Sequence, residues 1–251
     1  MLDPKQWFRS LVEGVAKHKA PLQPDAMAAE ERVLKGGVKD AGERPRTAVP
    51  IRSMGPNHLA RIEAHLLALS ERDRYLRFGY AANDDHIRRY VHGLNFDRDE
   101  LFGVFNRRLE LVAMAHLAYS IDPKTPNCAE FGVSVAKTAR GKGFGHLLFE
   151  RAVMHARNEG VSMLFIHALS ENTAMLRIAR GAGALVERDG AESEAHLRLP
   201  PADFDSRVTE LMREQWARTD YHLKVQVRQF KKVLRRLQDM RRKPKAEKES
   251  A

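Results

Sequence analysis

The densest run of chemistry-bearing residues in the chain is Arg140-Gly141-Lys142-Gly143-Phe144-Gly145. Alternating glycines have no Cβ to stop successive backbone N–H groups from turning towards one point. A helical pattern begins inside the run, so its free N–H groups and partial positive charge join those amides. Such a turn cradles an anion, and a diphosphate above all. Two rival phosphate loops fail on spacing. A Walker A loop needs Ser or Thr after its lysine, but Gly143 follows Lys142. A dinucleotide fingerprint needs Gly-x-Gly-x-x-Gly, whereas Gly141, Gly143 and Gly145 alternate.

Upstream lies a second constellation, Ala129-Glu130-Phe131-Gly132-Val133-Ser134-Val135. Strand alternation puts Glu130, Gly132 and Ser134 on one face and Phe131, Val133 and Val135 on the other. If the apolar face meets core helices, Glu130 points into a cleft. A partly apolar cleft raises a carboxylate's pKa towards the range of a general base. Other chemistry is thinly represented. The single cysteine, Cys128, excludes a disulfide framework and a cysteine-only zinc site, and no cysteine-protease triad surrounds it. Eleven histidines show no convincing zinc spacing, so no metal is expected. His116, Tyr119 and His167 read first as core-packing residues.

These residues need a scaffold, and residues 48–200 alternate strand and helix signals. Strands are expected over 48–54, 100–106, 110–120, 129–135, 163–169, 184–187 and 195–199. Helices are expected over 57–70, 72–94 with a break near 81–84, 143–159 and 172–180. Arg107 and Arg108 turn one hairpin, and Asp189-Gly190 turns the last. Mixed strands with helices on both faces make an α/β sandwich. Residues 1–47 read as an amphipathic helix followed by a Pro- and Gly-rich linker. Residues 201–251 read as a long basic amphipathic helix and tail. Trp216, Leu223, Phe230 and Leu237 recur every seven residues, with Val227 and Leu234 between them, a seam for docking on the domain or for a homodimer.

The formal charge of +10 is unevenly placed. Residues after 220 hold eleven Lys/Arg against three Asp/Glu, which is +8 of that total. The basicity therefore belongs to the tail, and nucleic-acid binding is admitted but not favoured, for want of an aromatic ladder or RNA-binding motif. No secretory h-region and no apolar run of about 18 residues occurs, so a soluble, cytoplasmic protein without a membrane partner is expected.

Residues 129–184 resemble the core of the GNAT superfamily of N-acetyltransferases. The strand 129–135, the turn Arg140 to Gly145 and Asn172-Thr173-Ala174-Met175-Leu176 share its order and spacing. The resemblance implies a mixed, mostly antiparallel sheet flanked by helices, and acetyl-CoA as donor. It puts the diphosphate on amides from about Lys142 to Gly145. It puts the pantetheine along Val133 and Val135, where family members splay two strands, with Asn172 close by. Glu130 stands where some members hold the base that deprotonates the amine, and amides near Ser134 would hold the oxyanion. The family's leaving-group tyrosine maps to Ala179, so that role is missing, replaced or unnecessary, with His167, His116 and Tyr119 as candidates for it. The basic-aromatic cluster Arg72, Arg74, Tyr75, Arg77 and Phe78 resembles bacterial protein-lysine acetyltransferases, which suggests a protein lysine as acceptor. A small-molecule amine suits the same residues. A non-catalytic acyl-CoA sensor is the alternative.

Overall fold

The computed structural model describes residues 49–123, 125–202 and 210. The helix and linker expected over 1–47, and almost all of the basic tail, lie outside the described residues. The chain begins with β1 (Ile51–Ser53), a 3-10 turn (Pro56–His58), and helices α1 (Leu59–Leu67), α2 (Glu71–Phe78) and α3 (Asp84–His92). Then come β2 (Glu100–Phe105), β3 (Leu111–Tyr119) and β4 (Cys128–Val135), a second 3-10 turn (Lys137–Ala139) and α4 (Phe144–Asn158). The fold closes with β5 (Met163–Leu169), α5 (Thr173–Gly181), β6 (Leu185–Asp189) and β7 (Glu192–Arg198). Among the described residues seven strands form one sheet in the order β1-β2-β3-β4-β5-β7-β6. Only β4 and β5 run parallel; every other neighbouring pair is antiparallel.

Sequence periodicity explains both faces of this sheet. Phe131 sits in one core with Ala113, Ala115, Leu117, Leu148, Phe149 and Leu176, so the apolar side of β4 meets α4 and α5. Met114 joins a second core with Ile62, Leu66, Ile87 and Val91, which brings α1 and α3 onto the opposite face. Both faces are thus covered, and Glu130 and Ser134 lie on the α1–α3 side rather than in open solvent. The long expected helix over 72–94 is divided at Gly79, whose φ of 78° is the left-handed conformation that ends α2. Asn83 then starts α3, its side chain accepting from the His86 N–H at 2.9 Å.

Beyond Pro201 and Ala202, the described residue of the tail is Glu210. Its carboxylate accepts from Arg151 at 2.5 Å and contacts His155 Nδ1 at 2.6 Å, both on α4. Burial opposes the charge, but His155, Asn158 and Arg151 hold the carboxyl down at about 2.

Phe131 is the pivot between strand and helix, with its ring edge-on to Phe149 at 5.0 Å and the residue 1% exposed. Phe131→Ala is expected to remove about 3–5 kcal/mol of unfolding free energy, read as a lower midpoint in urea titration.

Candidate active site

The parallel pairing of β4 and β5 stops early. Its register covers only Cys128↔Met163, Ala129↔Leu164 and Glu130↔Phe165, although both strands continue. Beyond Glu130 they part, and the β4 edge is left open. The β3 ladder fixes which amides line that opening. Ala136 N–H donates to Val112 O and Ser120 N–H to Cys128 O, so the even-numbered β4 residues bond β3. Ser134 therefore directs its N–H and C=O to β3, while Val133 and Val135 direct theirs away from β3 towards the opening, where the Val135 carbonyl accepts from Arg140 Nε at 3.4 Å.

The glycine turn stands at the wider end of this gap. Gly141 and Gly143 have φ of 74° and 77°, conformations that need glycine. Gly143 caps α4 without any side-chain hydrogen bond, which leaves the first amides of the helix available to an anion. Gly141, Lys142 and Gly143 are exposed, whereas Phe144 and Gly145 are half-buried. Arg140 is oriented differently from a free phosphate ligand: its guanidinium meets Asp73 of α2 at 2.5 Å. Asn172 caps α5, accepting from Met175 N–H at 3.2 Å and donating to the Leu76 carbonyl at 3.4 Å. That bond ties α5 to α2 across the opening.

A cavity of about 380 Å³ occupies the α2 side of the gap. Its lining includes Arg77, Glu130, Gly132, Val133, His167 and Glu194. Glu130 is 9% exposed, and its Oε2 has no hydrogen-bond partner. Its Oε1 lies 3.5 Å from His167 Nδ1, and Glu194 Oε1 lies 3.3 Å from His167 Nε2. Burial alone would lower the His167 pKa, but the two carboxylates outweigh it and hold the imidazolium up to about 10. His167, expected as core packing, is instead a cation between two acids. Tyr119 packs with the α4 core, on the far side of the sheet from Glu130.

Ser134 is buried, and its Oγ sits 2.9 Å from His65 Nε2. His65 Nδ1 lies 3.1 Å from the Leu111 carbonyl, which can only accept, so Nδ1 carries the proton and Ser134 donates to Nε2. Burial holds His65 at about 4, against these two hydrogen bonds. The α2 arginines separate in role. Arg74 bonds Asp84 at 2.7 Å and the Leu67 carbonyl at 2.7 Å, and Arg72 bonds Glu171 at 3.2 Å. Only Arg77 of the three lines the cavity. Sequence reading passed over His65, Tyr90 and Glu194, whose positions depend on which strands become neighbours. Among the described residues, no group of three or more His, Cys, Asp or Glu is arranged to hold a metal ion. No helix among them is long and apolar enough to cross a membrane.

The model of the acetyltransferase (GNAT) family matches residues 65–184. No curated protein sequence matches the chain. Among solved structures, the chain is similar to the GNAT domain of PAT from S. lividans. Identity is 18% and the TM-score 0.51, over 59% of this chain and 89% of that one. It is also similar to the acetyltransferase of GNAT family from Streptococcus pneumoniae. There the identity is 15% and the TM-score 0.50, over 61% of this chain and all of that one (100%). Likeness at this distance bears on the fold.

His65 and His167 give stability opposite slopes. Between about pH 6.5 and 4 the unfolded chain takes a proton that folded His65 refuses, so its contribution falls on acidification. Folded His167 keeps a proton that the unfolded chain loses above about 6.5, so its contribution is complete below that pH and is lost as pH rises towards about 10. Urea midpoints should therefore decline on both sides, and His167→Gln should flatten the alkaline slope.

Proposed function

Through residues 65–184 the chain belongs to the acetyltransferase (GNAT) family, and from that premise we propose that it transfers an acetyl group from acetyl-CoA to a primary amine by direct attack. The acceptor is a protein lysine or a small-molecule amine. The observation that carries this reading is the parting of β4 and β5 immediately beyond a buried carboxylate. An extended pantetheine fits the opened edge as an added strand, pairing with Val133 and Val135. The diphosphate lies on the amides of Lys142 to Gly145, at the uncapped start of α4. Arg140, held by Asp73, shapes that turn, and Asn172 bounds the gap from α5.

Glu130 serves as the base. Glu130 lines the cavity, and its buried Oε2 has no hydrogen-bond partner, so the amine's proton is assigned to it. The amine nitrogen bonds to the acetyl carbon, the C–S bond breaks, and CoA departs as a thiolate. Backbone amides beside Ser134 that face the opening, Val133 foremost, meet the oxygen as it becomes negative. Ser134 acts through position: its bond to His65 fixes this part of β4.

Acetyl-CoA is expected to raise the melting temperature; at a hundred times Kd it would stabilise by about 2.7 kcal/mol. An unchanged melting temperature under saturating acetyl-CoA contradicts the proposal. Glu130→Gln should show the same acetyl-CoA shift but release CoA about 100-fold or more slowly with its best amine. Full activity in that variant removes Glu130 from the reaction.

A further inference from the structure

A departing thiolate needs either a proton or a positive charge. Ala179 is fully buried in α5, at the position where the family resemblance expects a tyrosine, and has no group to offer. His167 is positive but clasped between Glu130 and Glu194, so that trio carries a net negative charge. Arg77 differs. It is half-buried, lines the cavity, and among the described residues makes no ion pair with a carboxylate.

Its placement over β4 is unusually close. A Cβ built on Gly132 would lie 2.5 Å from Arg77 Nη2, 2.6 Å from Cζ and 2.7 Å from Nη1. Three nearly equal distances mean that the guanidinium lies face-on against the glycine, and any side chain there would expel it. Gly132 directly precedes Val133, where the opened edge begins to offer its amides. The reactive end of a pantetheine laid along that edge therefore arrives beside Arg77.

A buried polar chain holds the guanidinium from behind. Arg77 Nη2 donates to Tyr90 Oη at 3.2 Å, and its Cζ lies 5.3 Å and 5.7 Å from the ring centroids of Phe78 and Tyr90. Tyr90 Oη is 2.8 Å from His116 Nδ1, and His116 Nε2 is 3.3 Å from Asp99 Oδ2. Asp99 accepts from Arg98 Nε and Nη2, each at 2.6 Å, and from Tyr119 N–H at 3.2 Å. The Asp99 carboxylate only accepts, which puts a proton on His116 Nε2 and leaves Nδ1 to accept from Tyr90. The Tyr90 oxygen then accepts from Arg77, so the hydrogen bonds from Arg77 to Tyr90 and from Tyr90 to His116 run in one direction. Burial raises the Tyr90 phenol, which keeps it protonated as this arrangement requires.

We propose that Arg77 is the group that meets the departing thiolate with positive charge, and that Tyr90, His116 and Asp99 are positioning residues for it. The inference rests on the acetyl-transfer reading above. As the C–S bond breaks, its electron pair stays on sulfur beside the guanidinium, while the amine proton goes to Glu130. The thiolate takes a proton from water after release. A guanidinium keeps its charge across the working pH range, so it acts by charge alone and not as an acid.

The test is steady-state CoA release from acetyl-CoA with the best amine acceptor, for the wild type, Arg77→Gln, Arg77→Lys and Tyr90→Phe. Arg77→Gln should lose about 100-fold in kcat, with the acceptor KM and the acetyl-CoA melting shift little changed. Arg77→Lys should keep part of the rate and gain a decline at alkaline pH absent from the wild type, since an ammonium loses its proton near or below about pH 10. Tyr90→Phe should fall between wild type and Arg77→Gln in kcat. Undiminished kcat in Arg77→Gln, or a rise confined to the acceptor KM, overturns the role and makes Arg77 an acceptor-binding group or a packing residue. If Arg77→Gln fails to fold, a wild-type-like pH profile in Arg77→Lys overturns it equally. Wild-type protein that acetylates no amine defeats the acetyl-transfer reading itself, which separates the two failures.

Discussion

The parting of β4 from β5 beyond Glu130 and Phe165 is the constraint on which the site depends. Backbone N–H and C=O groups inside a sheet need partners, and here a run of β4 has them on one edge only. The opposite edge is left without a neighbouring strand, and Arg140 Nε donates to the Val135 carbonyl there at 3.4 Å. Two helices begin at the margins of this gap, α4 at Gly143 and α5 at Asn172, so the polar ends of both help to frame it. The sheet thus keeps an open wedge between β4 and β5, although one core runs beneath both strands.

α2 turns that wedge into an enclosed space. It contributes little to either core, having no buried residues of its own, and is fastened through polar contacts instead. Arg74 bonds the end of α1 and Asp84, Asp73 bonds Arg140, Arg72 bonds Glu171, and Leu76 accepts from Asn172. Exposed ion pairs each contribute little, so the strap holds through their number and through the half-buried Arg74 and Asp73 contacts. Its position brings Arg77 over Gly132, which is the contact that makes one face of the gap electropositive. Two residues along the same face of β4, Glu130 lines up with His167 of β5 and Glu194 of β7, an arrangement of acid, cation and acid.

Local patterns were legible along the chain because they depend on short-range geometry. Alternation from Ala129 to Val135 placed Glu130 and Ser134 on one face, and the strand 163–169 has the expected limits. Glycine spacing located the turn before α4, since positive φ at Gly141 and Gly143 is a local requirement. Helix limits drifted by a few residues where capping decides them, as at Gly79 and Asn83. Roles that depend on neighbours from distant segments were not legible. His167 read as packing, because its carboxylate partners come from two other strands. Arg72 and Arg74 read as part of an acceptor pocket, yet their partners lie in other segments and draw them away from it.

By itself the sequence determined the period of each element, the glycine turn with its exposed amides, and the face of β4 that carries the carboxylate. Those features follow from steric limits on φ and from the twofold and 3.6-fold repeats of side chains. Only the tertiary structure decided how far β4 and β5 stay paired, which amides the β3 ladder uses, and which cation lies on Gly132. Each of these is set by contacts between residues tens of positions apart, whose register and burial no local pattern encodes.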